Sequence, residues 1–239
     1  EKPMDSPKQF TGLQRILAWS VHIFTASGLL AGFMAILAIN AKDWQAAMLW
    51  LLLCQFIDGI DGTFARLFRV KEVLPEMDGK TIDYVIDFAT YAIIPAYFIY
   101  QADLLEEPWR LSSTFSILLV SAIYYGKDGM VSEDNYFVGF PVMWNAVVFF
   151  LVFVYDLSPH WNALVILFFA ILHFVPIKFV YPSRGRRYRW LSLVITAISL
   201  VLAILLLLLY PERPWYMVLA ITVALFYYGV RAILDTWAN

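Results

Sequence analysis

Four aspartates, Asp58, Asp61, Asp83 and Asp87, stand at or near the ends of two apolar runs, within Asp58-Gly-Ile-Asp-Gly-Thr-Phe-Ala-Arg66 and Gly79-Lys-Thr-Ile-Asp83-Tyr-Val-Ile-Asp87. Carboxylates in such surroundings are costly and need a partner. Asp58 and Asp61 are three apart and Asp83 and Asp87 four apart, so on helices each pair shares a face. Two such helices joined by a short connection bring all four carboxylates into one cluster, and their mutual repulsion is relieved by a hard divalent cation with oxygen ligands, Mg²⁺ or Mn²⁺. Gly59, Gly62 and Gly79 weaken a helix, but they leave room for a phosphate or another backbone to come close. Arg66, one turn beyond Gly62, offers a fork of donors to phosphate oxygens. Metals and an arginine around a small-residue floor describe a diphosphate site. Two plainer readings also fit these aspartates: juxtamembrane charges, or ion-pair partners of Arg66, Arg69 and Lys80.

The elements that must position these residues are membrane helices. The chain has 239 residues, 62% of them hydrophobic and only 15% charged, with a mean hydropathy of +0.70. That is far too apolar for a soluble domain of this length. A formal net charge of -2 supplies no basic field for nucleic acid. Cys54 is the single cysteine, which excludes an internal disulfide. The polar segment 1–15 leads into a long apolar run without a small-residue cleavage site, which argues against a removable signal peptide. No internal repeat or composition break divides 1–239, so a single integral-membrane domain is expected.

Crossing a bilayer core takes roughly 20 helical residues. Eight apolar runs approach that length, at 17–39, 44–68, 81–101, 112–125, 139–157, 161–180, 190–210 and 215–237, the fourth being the shortest. The expected fold is an all-α polytopic bundle of about eight transmembrane helices. Of the 17 Lys and Arg residues, alternating spans place 14 on one side and leave Lys42, Arg110 and Arg213 on the other. By the positive-inside rule both termini and the aspartate-bearing connection lie in the cytoplasm. Trp19, Trp44, Trp109, Trp161, Trp190, Trp215 and Trp237 fall near span ends, as interfacial anchors do.

The pattern Asp58-x2-Asp61-Gly62-x2-Ala65-Arg66-x12-Gly79-x3-Asp83-x3-Asp87 resembles the signature of the CDP-alcohol phosphotransferase family. Every signature residue is matched, and the departure is a lengthened gap between Arg66 and Gly79. The resemblance implies a bacterial inner-membrane enzyme in which Asp58, Asp61 and Asp83 ligate divalent metals. Asp87 would complete the metal site and act as general base toward an alcohol acceptor. Gly62 and Ala65 would lie under the cytidine nucleotide, with Arg66 and Gly79 at the diphosphate. It also implies a homodimer, and small residues such as Gly28 and Gly32 could pack helices closely.

The tract Phe137-x-Gly139-x-Pro141 resembles a segment of the family's phosphatidylserine synthase branch, and the resemblance of the whole chain within the family implies CDP-diacylglycerol as donor and choline as acceptor. A quaternary ammonium calls for an aromatic cage. Tyr124, Tyr125, Tyr136, Phe140, Trp144, Tyr181 and Tyr188 all fall at the expected cytoplasmic ends, with Glu133 and Asp134 nearby, and Trp144 and Tyr181 are singled out as choline-binding candidates. The cluster Arg184, Arg186, Arg187 and Arg189 suits either an acidic acceptor and anionic lipid heads or an ordinary positive-inside loop. Serine, glycerol 3-phosphate or inositol phosphate as acceptor, and CDP-choline as donor, remain open within the same chemistry. A cation-coupled transporter would use intramembrane aspartates differently, but it predicts paired broken helices and leaves Gly62, Ala65 and Arg66 without a role. His173, Thr25 and Ser27 read as hydrogen-bonded structural groups, and Arg231 and Asp235, four apart, as an ion pair.

Overall fold

The computed structural model describes residues 10–127, 129–132, 136–180 and 189–237. The described elements run α1 Gly12–Asn40, α2 Trp44–Leu67, the single turn α3 Val70–Val73, α4 Gly79–Gln101, α5 Trp109–Tyr125, β1 Tyr136–Val138, α6 Trp144–Val154, α7 Pro159–Leu172, β2 Lys178–Val180, α8 Arg189–Leu209 and α9 Trp215–Trp237. Eight helices thus match the eight apolar runs. Five of them, α1, α2, α4, α8 and α9, are long and apolar enough to cross a membrane.

The starts and stops follow local chemistry. Thr11 and Gln14 form a reciprocal capping box that begins α1 earlier than hydropathy alone suggests. The Asp43 carboxylate accepts from Ala46 N at 3.0 Å to start α2. Asp78 caps α4 through Lys80 N and the Thr81 hydroxyl, and the latter bond holds its carboxyl below the usual carboxylate range. The run 161–180 does not continue as one helix. α7 stops at Leu172, ahead of Pro176, which forces the preceding residue out of helical geometry, and Lys178–Val180 pairs with β1 in an antiparallel ribbon. The run 139–157 likewise shortens to Trp144–Val154, because Gly139 and Pro141 belong to the extended approach from β1.

Contacts at the helix ends show that successive helices alternate in direction. At one end Gly79 lies against His22, Phe140 N donates to Leu172 O at 3.0 Å, and Lys178 N donates to the Thr236 hydroxyl at 2.8 Å. At the other, Tyr97 donates to Asn40, Gln45 donates to Leu207 O, and Asn162 donates to Leu104 O. The first end carries the four aspartates. Arg110 and Arg213, at the second, are paired with Asp103 at 3.1 Å and Asp156 at 3.6 Å. Trp109, Trp161, Trp190, Trp215 and Trp237 are exposed near helix ends, as expected of anchors.

α6 is the centre of the core. Trp144, Val148 and Phe153 are fully buried, and the helix is shielded by α2, α4, α5 and α8. Its 11 residues rise only about 17 Å, which is tolerable because non-helical backbone at membrane depth is sheltered by protein. α8 and α9 are peripheral and expose long apolar faces. Arg231 and Asp235 form the expected pair, buried, with N–O 2.5 Å.

Gly28 and Gly32 are used inside the chain, where α1 receives α4. A Cβ on Gly28 would lie 3.2 Å from Ile86, and one on Gly32 would lie 2.8 Å from the Ile94 tip and 3.4 Å from Thr90. Gly32→Leu should therefore destabilise the fold by about 1–3 kcal/mol through overpacking, while Gly32→Ala, which displaces only the end of a flexible side chain, should cost less. Thermal unfolding of the purified protein in detergent measures the difference.

Candidate active site

The inward stripe of α2 runs through Ala47, Leu51, Cys54, Asp58 and Asp61 at alternating spacings of four and three, so the same periodicity that buries the apolar half aims the aspartates inward. On α4, Asp83 and Asp87 lie one turn apart below the Asp78 cap. Asp58, Asp83 and Asp87 each offer a carboxylate oxygen, and these atoms all lie within 4.8 Å of one another. Asp61 stands beside this trio, buried at 8% exposure, and lies beside Thr25 of α1. The four aspartates are thus brought together, three in a tight cluster and the fourth at its edge.

A donor set made only of carboxylate oxygens suits a hard divalent cation. Three such groups this close are mutually repulsive until a cation or shared protons intervene. The Tyr91 hydroxyl donates to Asp58 Oδ2 at 2.7 Å. Tyr91 is 7% exposed and lies in the stretch Phe88–Ile93, where α4 widens into π-helical turns immediately after Asp87. Such turns recur at functional sites.

The glycines divide by role. A Cβ on Gly59 would meet nothing within 4 Å, and one on Gly62 would meet only the Arg66 guanidinium at 3.4 Å, so both leave open space beside the aspartates. Arg66 donates to the Thr63 hydroxyl at 3.1 Å and is exposed on the same side. Gly79 instead makes room for the buried His22, whose ring carbon lies 3.1 Å from the position a Cβ would take. Ala65 packs with Ala18, Val21, Val70, Val73 and Leu74, in the knot that fastens α3 and the long Arg66–Gly79 connection to α1.

The aromatic candidates scatter. Trp144 is fully buried: its ring stacks on His173 at 5.3 Å, and its Nε1 donates to the Ser121 hydroxyl at 2.9 Å. Tyr124 and Phe140 meet the edge of the same His173, whose Nδ1 bonds Phe169 O at 2.6 Å. Gly139, with φ +89°, is required there because a Cβ would lie 2.1 Å from the His173 carbonyl oxygen. Tyr125 comes within electrostatic reach of Asp58, Asp83 and Asp87. Tyr181, Glu133, Asp134, Arg184, Arg186, Arg187 and Tyr188 lie outside the described residues, as does the Arg189 side chain.

Sequence reasoning missed three site residues. Tyr91 had a usable signal, since it continues the Asp83–Asp87 series at the next i+4 position. Thr25 and Ser27 read alike as structural hydroxyls, but while Ser27 donates to Phe24 O at 2.6 Å, Thr25 lies beside Asp61. His22 carried no signal, because its place against Gly79 depends on how α1 and α4 cross.

Fold and site together define a multi-pass helical membrane protein built around an acidic centre at one end of its bundle. No family model matches the chain. It is 42% identical over 221 residues to the phosphatidylcholine synthase of Rhizobium meliloti, covering 92% of this chain and 91% of that protein. The phosphatidylcholine synthase of Pseudomonas aeruginosa is 41% identical over 201 residues, 84% of either chain, and that of Borreliella burgdorferi 39% over 184 residues, 77% of this chain and 78% of its own. The chain belongs to the phosphatidylcholine synthase family.

Tyr91→Phe removes one buried donor and nothing else. It should lower stability by about 1–3 kcal/mol, the worth of a hydrogen bond to a carboxylate and the cost of leaving it unmet, read as a reduced thermal midpoint in detergent.

Proposed function

We propose that this protein makes phosphatidylcholine by transferring the phosphatidyl group of CDP-diacylglycerol to choline, with release of CMP. The observation that carries this reading is the convergence of Asp58, Asp83 and Asp87 within 4.8 Å in a chain whose relatives are named for that product. Asp58, Asp61 and Asp83, with Asp87, would hold Mg²⁺ or Mn²⁺. The bound cations would neutralise the diphosphate and the charge that develops on departing CMP.

The chain's own residues supply the rest. Asp87 accepts the proton of the choline hydroxyl as that oxygen bonds to the phosphorus bearing diacylglycerol, and the bond from this phosphorus to the oxygen of CMP breaks. Arg66, above the gap left by Gly59 and Gly62, is placed to hold phosphate oxygens. Tyr91 fixes one oxygen of Asp58 and so limits how the carboxylates can rearrange. Among the described residues Arg66, Arg69, Lys71, Lys80, Lys127, Lys178 and Arg231 belong to the end of the bundle that holds the site, and Lys42, Arg110 and Arg213 to the other, which supports a cytoplasmic site and cytoplasmic termini in a bacterial inner membrane. Both the soluble acceptor and the nucleotide product would be exchanged there.

CMP release from CDP-diacylglycerol by the pure protein should require choline. Serine, glycerol 3-phosphate and inositol phosphate should not replace it, and CMP release with one of these alone would reassign the acceptor. Chelation of divalent ions should abolish turnover, and adding Mn²⁺ or Mg²⁺ should restore it. Asp87→Asn should cut turnover by about 10²- to 10⁴-fold while CDP-diacylglycerol still binds; undiminished turnover would remove Asp87 from its role.

A further inference from the structure

We propose that Tyr84, Phe88 and Tyr125 form the cage for the quaternary ammonium of choline, beside Asp87. This rests on the choline reading above and locates the acceptor within the site. Successive residues of a helix are turned by about 100°, so Tyr84 and Phe88 form a stripe adjoining the one that bears Asp83 and Asp87. Tyr125 reaches over from α5 and meets both rings edge-on, with centroids 5.9 Å from each. Its phenol is also in the field of Asp58, Asp83 and Asp87. Tyr125 therefore stands where the aromatic stripe and the acidic stripe join.

These three rings line a cleft of about 420 Å³ completed by Leu29 of α1 and by Thr81, Val85, Ala89 and Ile93 of α4. Its wall is largely apolar, and Thr81, Tyr84 and Tyr125 are its hydroxyl-bearing residues. Charge complementarity decides between the occupants such a wall could take. An acyl chain gains nothing from the Asp87 carboxylate on the adjoining face of α4, whereas an ammonium gains from it and from the ring faces. Tyr84 already draws a cation, the Lys80 ammonium lying 5.1 Å from its centroid.

Reach supplies the second argument. Two carbons separate the nitrogen of choline from its hydroxyl oxygen, so the cage must adjoin the base that takes the hydroxyl proton. Tyr84 and Phe88 lie within one turn of Asp87 on the same helix, both turned to one side of it. Trp144, in contrast, has one face against His173 and is wholly buried, so it has no surface to offer a ligand.

The test uses the full chain in lipid nanodiscs, with choline and CDP-diacylglycerol varied separately and thermal midpoints recorded. Tyr84→Leu and Phe88→Leu should each raise the choline KM about tenfold, with the CDP-diacylglycerol KM unmoved. The ring-preserving Tyr84→Phe should lose less than Tyr84→Leu, which separates loss of the π face from a general disturbance of α4. An unchanged choline KM in both leucine variants overturns the cage, and so does a raised CDP-diacylglycerol KM with choline unaffected, which would make the cleft an acyl groove. If the unaltered protein releases no CMP on adding choline, the underlying reading fails and the cage with it. Normal activity of the unaltered protein with insensitive variants sinks the cage alone.

Discussion

Carboxylates that repel one another at the end of an apolar bundle must be held together by everything around them. Asp58, Asp83 and Asp87 come within 4.8 Å only because α2 and α4 are fixed in depth and rotation, and no attraction between the three side chains does that work. The fixing comes from packing. α1 offers a groove of small residues to α4, α6 fills the centre, and the Ala18–Leu74 knot ties the long connection back onto α1. Tyr91 then holds the Asp58 carboxylate by a hydrogen bond. The polar centre thus depends on an apolar scaffold that is complete before any ligand arrives.

Much of this was legible in the chain. The helices were visible as apolar runs, since lipid demands a length and a composition that few other structures need. The aspartates were visible because carboxylates at such positions are rare, and their i+3 and i+4 spacings carry their own geometry. What could not be read was contact between elements. Gly28 and Gly32 show only that some helix can come close, and the partner turned out to be α4 of the same chain. Trp144 looked like an interfacial aromatic, but the crossing of α6 and α7 wraps it in core against His173. The sixth run, read as unbroken, stops ahead of Pro176. The ribbon that follows it depends on β1, some forty residues earlier, and no local pattern announces that pairing.

Arg66 is held differently from the ion-paired arginines found at both ends of the bundle, which at the site end include Arg69 with Glu72 and Arg231 with Asp235. Arg110 and Arg213, at the end away from the site, are each matched to a nearby carboxylate, Asp103 and Asp156. At the site end Arg66 is bonded only to a neutral hydroxyl among the contacts described, and it overlooks the open floor left by Gly59 and Gly62. A cation whose charge is not neutralised by its nearest partner is well suited to receive an anionic substrate.

The widened stretch Phe88–Ile93 has a bearing on how α4 lies along its neighbour. Ile86, Thr90 and Ile94, which meet the α1 glycine groove, recur every four residues. In an ideal helix such a series swings by about 40° at each step, and the third contact would rotate off the groove unless the helices coiled around each other. The extra backbone taken into the π-helical turns absorbs that drift. α4 can therefore run along α1 as along a rail, touching it above and below Asp87. The height and rotation of that carboxylate are set from two sides.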